Sequence, residues 1–146
     1  MIIMNLAELL DRTNVDALDH LERQATIPVV DGLQAQGDLI VIPMAMLTTV
    51  TPDSWAHWQA VAAGGVELVR GVAGNNPHTL VADPDTCWWI GSVHDPLGLA
   101  IVMFENIAPV YLVHPEHGGS GVAPGRWLVR RQQERGPHRR RVLIAD

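Results

Sequence analysis

The sequence predicts a mainly β domain, a small barrel or sandwich of about eight short strands, with an N-terminal helical arm and one short inserted helix. Three observations lead there. From Gly37 onward, β-branched, aromatic and other apolar residues come in runs of three to six separated by glycine and proline. Before that point the leucines recur at spacings of three and four. The composition, 47% apolar and 18% charged over 146 residues, suits one buried core and excludes a disordered or collagen-like chain.

Residues 1–36 read as the arm and its linker. Leu6, Leu9 and Leu10, then Val15, Leu18 and Leu21, form the inner stripe of a helical hairpin or broken helix over 5–24. Thr13 or Asn14 can cap the second segment, and Asp16 complements its N-terminal dipole. The outer face carries Glu8, Asp11, Asp16, Asp19 and Glu22. So narrow a stripe makes no core of its own, so the arm is expected to dock on a partner through Leu6, Leu10, Leu18 and Leu21.

Residues 37–146 read as the β domain, with strand-like runs at 39–42, 66–69, 79–81, 88–90, 99–104, 110–113, 127–129 and 142–144. Between the first two, Thr51 and Pro52 resemble a helix start with proline at its first position. Trp55, Trp58 and Val61 would then share a face, and Gly64 and Gly65 would stop the element after about three turns. Trp55 and Trp58 are therefore further candidates for a partner contact. Trp88 and Trp89 point to opposite faces of their strand, one to the core and one to a loop or interface.

The single cysteine, Cys87, excludes an intramolecular disulfide and a cysteine-built zinc site, and it reads as a buried apolar residue. The stretch from Met1 to Met4 lacks the basic region of a signal peptide, and the longest apolar run, 39–50, is broken by Pro43 and two threonines. These features fit a soluble, cytoplasmic protein with no membrane partner. All ten basic residues are arginine, and they are unevenly spread: residues 1–125 hold three against fourteen acids, residues 126–146 seven against two. A net charge of −6 argues against a general nucleic-acid binder. The basic end either pairs with the acidic remainder or, through Arg130, Arg131, Arg139 and Arg140, meets an acidic partner.

The most chemical segment runs from His114 through Pro115, Glu116 and His117 to Gly118 and Gly119. Two imidazoles and a carboxylate suit a divalent transition metal, with His78 or His94 as a third donor. Pro115 prevents the helical His-Glu-x-x-His arrangement, so a network of turn amides and ion pairs is the competing reading. No Gly-x-Ser-x-Gly elbow, Walker loop or dinucleotide fingerprint is present.

Three stretches in order carry a resemblance. They are Gly37-Asp38 opening the first strand; Arg70-Gly71 to Gly74 with His78; and His114 to Gly118, leading through Pro124, Gly125 and Arg126 to Gln132 and Glu134. They resemble a family of small β-rich proteins from phages, prophages and bacteria that has no assigned biochemical activity. The resemblance covers about residues 36–146. It implies that His78, His114, Glu116 and His117 occupy the family's histidine-rich positions, with Asn76 replacing one histidine, which favours a polar network over a metal. The implied function is a non-enzymatic structural or interaction protein, such as a phage capsid decoration or other virion accessory subunit, acting in a homo-oligomer or larger assembly without a cofactor. The alternatives are a small metal-dependent or cupin-like enzyme using the histidines, and a regulatory module binding an acidic partner through the arginine-rich end.

Overall fold

Runs that stay apolar on consecutive residues, such as 39–42 and 110–113, need both faces of their strands covered, and the fold provides two covers. The computed structural model describes residues 4, 5, 8, 26–70, 77–135 and 141–143, to the level of side chains except at 69, 70, 133–135 and 141–143. The strands are β1 (Val29–Val30), β2 (Gln34–Gln36), β3 (Leu39–Pro43), β4 (Thr51–Pro52), β5 (Gln59–Ala60), β6 (Val66–Arg70), β7 (Pro77–Val81) and β8 (Cys87–Ile90). There follow β9 (Val93–His94), β10 (Ala100–Asn106), β11 (Val110–His114), β12 (Gly118–Val122), β13 (Gly125–Arg131), β14 (Gln133–Arg135) and β15 (Arg141–Leu143). A five-stranded sheet has the order β1-β12-β11-β7-β6 and a six-stranded sheet the order β2-β3-β13-β10-β8-β5. Neither sheet closes on itself, so the architecture is a sandwich and not a barrel. Two short ribbons, β4 with β9 and β14 with β15, accompany it.

The core fills the space between the sheets. Leu39, Val41, Phe104, Trp127 and Val129 from the six-stranded sheet meet Leu80, Val110, Leu112 and Val122 from the other, all at 2% exposure or less. Strand alternation sends the intervening residues to the outer faces, and these too are covered. Val81, Tyr111 and Val113 lie beneath Met4, Ile27 and Val29. Ile90, Met103 and Leu128 lie beneath Met44, Leu47, Val50, Ala56 and Val93. Each of the eight strand-like runs overlaps a strand.

Three sequence expectations are revised. The inserted helix after Pro52 does not form: Thr51 and Pro52 pair with His94 and Val93, and Gln59 and Ala60 pair with Trp89 and Trp88. The free edge of β8 offers ladder hydrogen bonds to this segment, and Pro52 sits on an edge strand where its missing N–H costs nothing. A 3₁₀ turn lies at Met44–Met46. The β domain also begins before Gly37, because β1 pairs in parallel with β12 and β2 pairs with β3.

The helical arm is not supported. Of its residues, Leu6, Leu10, Leu18 and Leu21 lie outside the described ones. Glu8 has helical backbone, while Asn5 bridges Thr26 and Ile27 N–H donates to the Met4 carbonyl at 2.9 Å. The base of the arm therefore folds onto its own subunit, with Met4 5% exposed. β1 is seated closely: a Cβ at Gly121 would lie 2.6 Å from the Pro28 carbonyl oxygen. No helix among the described residues is long and apolar enough to cross a membrane.

Candidate functional site

The β2–β3 connection is a two-residue turn, Gly37-Asp38, between the paired residues Gln36 and Leu39. Gly37 has φ +57°, the first-position conformation that such a hairpin turn reserves for glycine. The turn is clamped from β13: Gln132 N–H donates to the Asp38 carbonyl at 2.8 Å, and its side-chain amide donates to the carbonyls of Gly37 and Leu39. So held, Gln36 and Asp38 project into the sandwich at 4% and 0% exposure.

They meet His78, which β7 carries in from the opposite sheet, also at 0% exposure. His78 Nδ1 lies 2.9 Å from Gln36 Oε1, and Nε2 lies 3.1 Å from Asp38 Oδ1. The Gln36 amide is oriented by its own donations to the Leu112 carbonyl at 2.8 Å and to Ser120 Oγ at 3.0 Å. Its Oε1 therefore faces His78 as an acceptor, and Nδ1 of His78 is the donor. At the other nitrogen, an imidazole lone pair and a carboxylate would repel, so that contact holds a proton. The pair is neutral overall, either as imidazolium with carboxylate or as imidazole with carboxylic acid. The result is a polar lock that ties β2 of one sheet to β7, β11 and β12 of the other.

His114 and His117 extend the cluster outward. The His114 ring lies 4.4 Å from that of His78 and 4.6 Å from that of His117, while His78 and His117 are parallel at 6.3 Å. His114 is 1% exposed, and its Nδ1 accepts the Glu116 backbone N–H at 3.1 Å, which places its ring proton on Nε2. His117 and the side chain of Glu116 are exposed. His94 stands apart on β9, in a different sheet.

Of the histidines that the sequence singled out, His78, His114 and His117 come together, but neighbouring rings are tilted by 36–40° and both nitrogens of His78 are bonded to protein. Among the described residues no three His, Cys, Asp or Glu side chains converge as a metal requires. The acidic partner of the cluster is Asp38, not Glu116. Asp38 and Gln36 escaped the sequence reading because they lie about 40 residues from His78. The Gly37-Asp38 pair noted in the resemblance was the available signal.

Among the described residues, Arg126, Arg130 and Arg131 face acids of the same subunit. Arg130 grips Asp95 with two hydrogen bonds, 3.0 Å from Nε and 2.7 Å from Nη2. Burial pushes the Asp95 carboxyl up, but Arg130 and the Leu97 and Leu99 amides outweigh it, leaving the group below the usual carboxylate range. Arg131 Nη1 approaches Asp38 Oδ2 at 3.9 Å. Arg126 donates to Glu105 at 3.0 Å and lies 5.7 Å above the Trp58 ring. Arg139 and Arg140 lie outside the described residues. Trp55 and Trp58 stand on the surface, at 67% and 36% exposure. Cys87 is buried, which pushes its thiol up to about 12.

No protein of curated function and no solved structure matches the chain. A family model does, over residues 35–132, a stretch that encloses the whole lock from Gln36 to Gln132. The chain belongs to that family, described as a domain of unknown function, DUF8820.

Proposed function

We propose that this chain is a non-enzymatic interaction subunit of a larger protein assembly, of the virion accessory kind that its resemblance to phage-encoded proteins implies. The observation that supports this reading most is the fate of its chemical side chains. His78 and Asp38, the groups best suited to acid–base work, are spent together with Gln36 on holding the two sheets together, whereas large apolar side chains such as Trp55 and Ile107 stand on the surface at 67% and 66% exposure. A site built for turnover keeps its base within reach of a substrate; a subunit built for docking exposes aromatic anchors. An acidic partner finds less purchase, since Arg126, Arg130 and Arg131 already face Glu105, Asp95 and Asp38.

Gradient sedimentation of particles from the native source, followed by mass spectrometry, tests the proposal. The chain should co-sediment with a large particle at fixed stoichiometry through a salt wash. A chain found only in the free fraction, turning over a substrate or holding a stoichiometric metal through purification, contradicts it.

A further inference from the structure

Among the described residues, the outer face of the six-stranded sheet is covered over only part of its length. The row of Ile90, Met103 and Leu128, in register across β8, β10 and β13, lies beneath the chain's own loops. Two residues along the same strands, and so on the same face, comes the row of Ala60, Trp88, Glu105 and Arg126. Ala60, Glu105 and Arg126 in this row are exposed, and the Trp58 ring lies beneath the Arg126 guanidinium. Ile107, 66% exposed, follows at the end of β10. Tryptophan and arginine beside an exposed isoleucine, with a single ion pair, is the make-up of a protein-docking surface.

Resting on the assembly reading above, we infer that this row is where a second copy of the chain docks, sheet face to sheet face about a twofold axis. The argument is charge complementarity. Glu105 and Arg126 are direct cross-strand neighbours, with side chains 47% and 51% exposed. An axis lying in the interface, parallel to the strands and midway between β10 and β13, sets each copy's β10 opposite the other's β13. Glu105 of one copy then faces Arg126 of the other, twice, as an isologous contact requires. The ion pair that closes the row within one subunit becomes a four-charge ring across two.

Light scattering after size exclusion, together with analytical ultracentrifugation, tests this with Arg126→Glu and Glu105→Arg. Wild type should be dimeric at about 100 µM, where even a micromolar interface is largely formed. Each reversal sets like charges opposite each other at both contacts and should raise the dissociation constant roughly a hundredfold or more. An equimolar mixture of the two variants should regain the dimer, because both intersubunit contacts are then complementary. No effect on folding produces that rescue, since each chain keeps its own like-charged pair. A monomeric wild type, a dimer indifferent to both reversals, or a mixture without rescue overturns the inference. Co-sedimentation with particles tests the assembly reading separately and survives any of these results.

Discussion

Replacing His78 by leucine removes the ring that joins the two sheets, and the structure sets the scale of the loss. The Gln36 side chain, at 4% exposure, loses the donor to its Oε1, a hydrogen bond worth about 1 kcal/mol with a further penalty of about 1–3 kcal/mol for a buried polar atom left short. The Asp38 carboxyl group, at 0% exposure, loses the imidazole that shares its proton, and breaking a buried pair costs about 3–5 kcal/mol. Arg131, at 3.9 Å from Asp38, offsets part of the second penalty. The two losses overlap in one network, so we expect about 4 kcal/mol in total. Adding Asp38→Asn to His78→Leu should return about 2 kcal/mol, because a neutral amide is far cheaper to bury than an unmatched carboxylate. Urea unfolding followed by tryptophan fluorescence reads both values at constant m. A cost for His78→Leu below about 1 kcal/mol, or strict additivity of the two substitutions, would refute the lock.

Three further outcomes follow from other parts of the fold. The Asp95 carboxyl is lowered on folding, so its contribution is present above the unfolded carboxylate value of about 4 and is lost as pH falls through the folded value; wild type should therefore lose more stability below pH 4 than Asp95→Asn, and equal slopes would contradict this. With the Cys87 thiol held at about 12 by burial, iodoacetamide should label it at pH 8 only after unfolding, and rapid native labelling would contradict its placement. Gly121→Ala forces a methyl to within 2.6 Å of the Pro28 carbonyl oxygen, so it should cost about 1–3 kcal/mol and speed hydrogen exchange at Val29 and Val30, whereas a neutral substitution would mean that β1 is not seated there.

What the sequence made legible was period and punctuation. Runs such as 99–104 and 110–113 declare strands because β-branched and aromatic residues stand between glycine and proline stops. The same logic failed at 51–63, where Trp55, Trp58 and Val61 fall at helical spacing while the edge of β8 offers a pairing that no local pattern records. It failed again at β12, whose three glycines carry almost no strand propensity and are held by pairing with β11. The histidines declared themselves by residue type, but their partners did not. Asp38 and Gln36 reach His78 only because the hairpin turn and β7 lie on facing sheets, a relation set by topology and absent from spacing.

The histidine cluster is a structural lock within one subunit. Long-range ¹H–¹⁵N spectra of the imidazole rings test it most directly. His78 should carry a proton on Nδ1 with Nε2 in a strong hydrogen bond, His114 should carry its proton on Nε2, and neither ring's nitrogen shifts should change when zinc or a chelator is added. A His78 Nδ1 without a proton, or metal-induced shifts shared by His78, His114 and His117, would contradict it.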